Sequence, residues 1–324
     1  MDIFVQSMNS TMVGIVILDY NNASDTINCI DTVVHFTPKE NCKIIVVENG
    51  SNEDTVYRMK SYIQTRFDAY QILTDADSSI YPMPFITLLD SKTNDGYAQG
   101  NNKALHLYEK DDEVDTVLIL NNDILFVEDI ITPLQSYLQK LPNCGVVSPL
   151  LLKKDGESID YNCARHDYEK MQFFWEYLFS FKDFFGIISR YEYKKKLLLC
   201  KPDLINNDYF EIELPSGSCM LIDKRLFKEI NYFDNNTFLY FEENILYRKL
   251  LNVNKKNYLI PHLRCIHLGA STSRKSSSMF TMNCQMNSTA YYLKKYRNAP
   301  IVAQYVGVMS FFTRLKIWLK DKVS

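Results

Sequence analysis

Along the first half of the chain, short apolar runs alternate with stretches whose apolar residues recur at helical spacing. The runs are VGIVIL (13–18), KIIVV (43–47), FITLL (85–89) and TVLIL (116–120), and the helical patterns begin after Ser24, after Asn52 and near Tyr97. Strand-then-helix order repeated in this way predicts an α/β fold, a mostly parallel central sheet with helices on both faces. The fourth run is continuously apolar, as a strand covered on both faces must be.

From 168 to 201 the character changes to aromatics and lysines, among them Phe173, Trp175 and Phe184, which predicts a helical insertion. A strand-like stretch returns at 218–222, followed by a helix from Lys224, a turn at 232–237 and a helix over 238–251. Strand-like pieces around Tyr258 and Cys265 and a basic tail close the chain, and no internal repeat is present. The expected organisation is a first α/β half (1–155), the aromatic insertion (156–210), a second strand-and-helix half (211–295) and an amphipathic tail (296–324).

Composition narrows this picture. A chain of 324 residues with 46% hydrophobic content can bury a sizeable core in one large or two fused domains. Eight cysteines lack any Cys-x-x-Cys pair or zinc spacing, so they read as reduced, buried thiols. There is no basic leader, and run 13–18 is too short to span a bilayer, which points to the cytoplasm. Net charge is −3, yet from Ser271 onward nine basic residues face one acid, Asp321. In that tail Phe311, Phe312, Leu315, Trp318 and Leu319 share a helical arc, with Arg314, Lys316 and Lys320 opposite. Such a helix either lies peripherally on an anionic membrane, here the inner face of the cytoplasmic membrane, or buries its apolar face intramolecularly or in a homodimer. Its aromatics argue against nucleic acid as a partner.

Ligands of parallel sheets bind where the strands end, because loops converge there. The residues at those ends are Asp19, Tyr20 and Asn21; Glu48, Asn49 and Ser51; Asn94, Asp95 and Gly96; and Asn121, Asn122 and Asp123. A rim of carboxylates and amides suits a nucleotide with Mg2+ or Mn2+, which takes carboxylate, water and diphosphate oxygens. Asn, Asp and Gly also populate ordinary turns, so each loop taken alone has a structural reading as well.

These residues carry a resemblance. The chain over 12–269 resembles the family 2 glycosyltransferases, especially bacterial rhamnosyltransferase-like enzymes, in the order in which that family presents its motifs. IVILDYNN resembles the opening nucleotide loop, with Asp19 where Asn is more usual. IIVVENGSNEDT resembles the next loop, whose acid reads the base and is here Glu48. TNDGYAQGNNKAL resembles the Asn-x-Gly-aromatic segment that ends in Asn101 and Asn102, and LILNND the metal-binding Asp-x-Asp element, reduced to Asp123 as its acid. LPSGSCMLIDKRLFKEINYFDNNTFLYFEENILYRKL resembles the acceptor strand, the Phe-Asp turn and the helix that supplies the catalytic base.

The resemblance implies a GT-A fold and inverting, metal-dependent transfer of a hexose from a dTDP- or UDP-sugar. The acceptor would be a glycan or a polyprenyl-diphosphate-linked glycan of surface polysaccharide synthesis. Inversion needs a carboxylate to take the acceptor's proton, which the resemblance gives to Glu243, with Glu242 supporting it or exchanging roles. It implies His267 as a second metal ligand with Asp123 and sets Arg274 near the diphosphate. Other readings of the same residues are a helix-capping Asp123, a solvated Glu pair and a core histidine. A nucleotidyltransferase would carry a Gly-rich basic loop where this chain has LDYNNAS, while the thinned acids at Asn121 and Ile245 leave an inactive nucleotide-binding scaffold as a rival.

Overall fold

The computed structural model describes residues 12–167, 169, 170, 173, 207–269 and 278–323. Its first part runs β1 (Met12–Asp19), α1 (Ala23–Phe36), β2 (Cys42–Asn49), α2 (Glu53–Arg66), β3 (Tyr70–Thr74), β4 (Ile86–Ser91), α3 (Gly96–Glu109) and β5 (Val114–Asn121). There follow β6 (Ile124–Phe126), α4 (Ile131–Lys140), β7 (Cys144–Lys153), β8 (Ala164–Arg165), β9 (Phe210–Ile212), β10 (Leu214–Pro215) and β11 (Cys219–Asp223). The chain ends with α5 (Lys224–Glu229), α6 (Glu242–Asn252), β12 (Lys256–His267), α7 (Ser278–Lys295) and α8 (Pro300–Val323).

One sheet takes the order β3-β4-β2-β1-β5-β11-β7-β12-β6, with β9 also pairing along β12. The block β3-β4-β2-β1-β5 is parallel throughout, β11 enters antiparallel between β5 and β7, and β12 is parallel to β7. Alternate residues of a strand face opposite sides, and both sides are buried. Val13, Ile15 and Ile17 of β1 pack with α1, α2 and α4, whereas Val16 packs with α3, α5 and α6. A third apolar cluster joins Phe241 and Ile245 to Phe173 and to Tyr292, Leu293, Ala303 and Val306 of the C-terminal helices.

Local chemistry sets many of the helix starts. Asn52 caps α2 by accepting from the Thr55 amide at 2.9 Å, with Glu53 and Asp54 in the first turn where the helix dipole favours acids. Asp223 caps α5 through the Leu226 amide at 2.9 Å. Gly96 opens α3 at φ +77°, and a Cβ there would lie 2.2 Å from the Phe238 carbonyl oxygen, so only glycine fits.

Three expectations need correction. The helix over 238–251 begins at Glu242 instead, because Tyr240 and Phe241 both stand at φ +72°, which no helix accommodates. The two strand-like pieces near Tyr258 and Cys265 are one strand, β12, whose pairing with β7 shifts register between Ile260 and Arg264. Edge strand β3 was hidden in a mixed polar stretch that has no long apolar run. The basic tail is two helices, and two of its cations belong to the fold: Arg297 reaches buried Asp167 at 2.6 Å and Lys295 reaches Asp234 at 3.0 Å. Of the aromatic stretch over 168–201, all but residues 169, 170 and 173 lies outside the described residues, as does Arg274. The seven described cysteines are buried free thiols. Among the described residues no helix is long and apolar enough to cross a membrane.

Candidate active site

Register alone brings the rim together. Asp19 pairs with Glu48, Leu18 with Asn121 and Glu48 with Asp90, so the parallel strands end at one level. Asp19 and Glu48 are fully buried side by side. Asp19 Oδ1 accepts from Asn122 Nδ2 at 2.8 Å, but its Oδ2 and both Glu48 carboxylate oxygens lack a hydrogen-bond partner. Burial first, and then the Asp19 charge, push Glu48 up to about 8, and burial raises Asp19 as well. Two touching carboxyls out of water cannot both ionise readily, so this corner holds a proton and is short of hydrogen-bond donors.

Most of the rim amides shape the loops. Asn21, at φ +56°, gives its N–H to Ser51 Oγ at 2.9 Å and accepts from the Asn52 amide at 2.8 Å, locking the first loop to the second. Asn49 Nδ2 donates to Asn94 Oδ1 and to the Gly96 carbonyl, both at 3.1 Å, while its Oδ1 accepts from the Asp95 amide. Asn122 divides its Nδ2 between Asp19 and Thr26. Asn102 is turned inward, bonded in both directions to the Phe233 backbone and to Asn235, so its polar atoms are engaged within the protein. Tyr20, directly after the end of β1, is exposed.

Just past β5, Asp123 meets His267 at the end of β12. The antiparallel pair β6–β12 places His267 opposite Ile124, and the Leu268 amide donates to the Asp123 carbonyl at 2.9 Å. The side chains follow, with His267 Nε2 3.3 Å from Asp123 Oδ2 and Nδ1 2.7 Å from Asp160 Oδ2. Burial alone would lower the imidazole, but hydrogen bonds and charge from Asp123 and Asp160 outweigh it and raise His267 to about 9. Asp160 is held below its ordinary range, its burial overcome by His267 and the Asn162 amide. Among the described residues no three or more His, Cys, Asp or Glu side chains form a complete metal cage. Asp123 and His267 are a carboxylate and an imidazole side by side, ligand types that divalent ions accept together with diphosphate and water.

The acid pair stands at the start of α6, directly after the two left-handed aromatics. Such backbone costs about 1–3 kcal/mol per residue and persists only where packing enforces it. Here Phe241 lies against Phe173 and Tyr292, and Ser288 Oγ donates to the Leu239 carbonyl at 2.8 Å. The two acids then differ. Glu243 Oε1 pairs with Arg165 at 2.9 Å and accepts from the Gly217 amide at 3.1 Å. Glu242 is buried, with Oε1 unpartnered, and burial followed by the Glu243 charge raises it to about 8. Gly217 is held in turn by Tyr97, whose hydroxyl donates to its carbonyl at 2.6 Å.

A short backbone path joins the acid pair to the Asp123 corner. The Asn121 amide donates to the Ser218 carbonyl at 2.8 Å, two residues before Asp123 and one after Gly217. Segments 19–21, 48–51, 94–97, 121–123, 160–165, 217–218, 242–243 and 267 therefore share one rim. Sequence reasoning missed Asp160, Arg165, Tyr97 and Gly217. Tyr97 and Gly217 carried a usable signal, since they sit inside the Asn-x-Gly-aromatic segment and the LPSGSC segment.

Comparison with known proteins bears on the family and the fold. The profile described as Glycosyl transferase family 2 matches residues 14–231, more than half of the chain. The low-salt glycan biosynthesis hexosyltransferase Agl10 of Haloferax volcanii is 25% identical over 215 residues, covering 65% of this chain and 61% of that one. The chain thus spans less than two thirds of that relative. Two solved GT-A structures share the fold. GalNAc-T7 with UDP, GalNAc and Mn2+ matches at TM-score 0.57 and 13% identity, over 90% of this chain and 49% of that one. The mannosyltransferase PcManGT of Pyrobaculum calidifontis with GDP-Man and Mn2+ matches at 0.55 and 12%, over 93% and 71%.

Proposed function

The chain belongs to glycosyl transferase family 2, and from that premise we propose that it transfers a hexose, with inversion, from a dTDP- or UDP-sugar to a hydroxyl of a glycan or polyprenyl-diphosphate-linked acceptor in surface polysaccharide synthesis. The observation that carries this reading is the unequal pair of acids on the rim that also holds Asp123 and His267. A general base must be ionised to take a proton. Glu242 keeps its proton up to about 8, whereas Glu243 is ion-paired with the Arg165 guanidinium and accepts from the Gly217 amide. Glu243 is therefore the base, and Glu242 is a buried acid able to donate to a sugar oxygen.

In the reaction the acceptor oxygen attacks the anomeric carbon from the face opposite the diphosphate. Its proton passes to a Glu243 Oε atom, and the bond from carbon to phosphate oxygen breaks. Asp123 and His267 would hold Mg2+ or Mn2+, which when bound offsets the charge growing on the departing diphosphate. Neutral imidazole among the ligands favours Mn2+. The donor-starved Asp19–Glu48 corner suits the ring N–H of a pyrimidine base, and the exposed Tyr20 has a face on which that ring can stack.

The C-terminal helix supports peripheral contact with an anionic cytoplasmic membrane. Ile301, Val308, Phe311 and Phe312 of α8 are exposed large apolar residues, in a segment rich in lysine and arginine. Self-association into a homodimer through the same face is the competing use.

The test is a thermal-shift screen with UDP, dTDP, GDP and their sugars, with and without Mn2+, followed by donor hydrolysis on the hits. Glu243→Gln is expected to bind nucleotide and lose turnover, and unchanged turnover would move the base elsewhere. Turnover that survives EDTA would remove the metal role of Asp123.

A further inference from the structure

Asp160 is a buried carboxylate near the rim to which neither motif nor resemblance gives a task. It sits on a hairpin that folds back on β7: the Lys153 amide donates to the Ser158 carbonyl at 2.7 Å, and the Asp160 amide to the Leu151 carbonyl at 2.8 Å. Its two carboxylate oxygens are divided. Oδ1 accepts from the Asn162 amide at 3.0 Å and the Asn162 side chain at 2.9 Å, which fixes the carboxylate to the following turn. Oδ2 faces His267 Nδ1 at 2.7 Å.

A carboxylate is acceptor-only, so the ring nitrogen facing it carries hydrogen. In a neutral ring this leaves the lone pair on Nε2, the atom 3.3 Å from Asp123 Oδ2. Asp160 lies on the far edge of the imidazole from that point and so acts on the ring without sharing the ligand position. We propose that Asp160 is the positioning residue of the metal site, selecting the tautomer and the plane of His267 so that Nε2 and Asp123 present one two-ligand face to the ion. This rests on the metal-assisted reading above.

Carboxylates behind a metal-bound histidine typically change metal affinity by about 10–100-fold when removed. The measurement is Mn2+ affinity of the full chain with saturating UDP, read from the free-Mn2+ signal in electron paramagnetic resonance, which needs no donor or acceptor. Asp160→Ala and Asp160→Glu are expected to weaken Mn2+ about 10–100-fold, the second because one added methylene displaces the acceptor. Asp160→Asn, which keeps a carbonyl oxygen for Nδ1–H, is expected to stay within a few-fold of the parent, and UDP binding without metal is expected to be unchanged in all three. If Asp160→Ala fails to fold, Asp160→Glu against Asp160→Asn carries the comparison.

Equal Mn2+ affinity in every Asp160 variant, with Asp123→Ala losing the ion, overturns the positioning role and leaves the metal reading standing. A parent protein that takes up no Mn2+ with UDP overturns the metal reading, and this proposal with it.

Discussion

Replacing Glu242 by glutamine keeps the shape of the side chain and removes a charge that the fold cannot solvate. In the folded protein this carboxyl holds its proton up to about 8, against an ordinary 4.5, because it is buried and because Glu243 lies beside it. The folded value is raised, so between those two pH values the folded chain binds a proton that the unfolded chain has already released. The stability contributed by Glu242 is therefore complete below pH 4.5 and is lost as pH climbs towards 8. At about 1.4 kcal/mol per pH unit, the full gap sets a ceiling of about 5 kcal/mol on that loss. Glutamine has nothing to titrate, so the advantage of Glu242→Gln over the parent should widen with pH, reaching at least ~2 kcal/mol at pH 8. Urea unfolding of both proteins at pH 5, 6, 7 and 8 measures it. The difference curve is the informative quantity, since Glu48 imposes a similar slope on both proteins. Parallel curves would refute the claim that Glu242 is buried as an acid, and with it the argument that leaves Glu243 as the base.

Other outcomes follow from the same structure. Gly96→Ala meets the Phe238 carbonyl and a left-handed backbone at once, so a loss of about 2 kcal/mol or more is expected in thermal unfolding. Asp167 receives Arg248, Arg297, Tyr292 and Asn244, tying α6 to the C-terminal helices. Asp167→Ala strands two partly buried guanidinium groups, and a cost of about 3–5 kcal/mol should appear as a lower melting temperature and easier proteolysis within α7 and α8. The double substitution Phe311→Ser, Phe312→Ser should reduce co-sedimentation with phosphatidylglycerol vesicles by tenfold or more without altering nucleotide binding. Equal sedimentation, or a dimer that this variant dissolves, would assign the face to another use.

Much of the architecture is local and was legible. Apolar runs 13–18, 43–47, 85–89 and 116–120 all became strands, and their order along the chain predicted parallel pairing, because an intervening helix returns the chain in the same direction. The rim followed as well, since parallel strands must end together. Acids at 19, 48 and 123 could be read as neighbours without coordinates.

What needed the fold was the state and partnership of each group. Nothing in FEEN says that one glutamate is buried as an acid while the next meets an arginine 78 positions earlier, because that difference arises from solvent exclusion and from a segment distant in the chain. The loop asparagines looked like ligands by type, yet only packing reveals which of their atoms are already taken. Likewise the helix expected from 238 begins at 242, since contacts with α7 and Phe173 hold Tyr240 and Phe241 in a backbone that local propensity disfavours. Hydrophobic periodicity is a property of neighbours along the chain, whereas protonation, tautomer and strain are properties of neighbours in space.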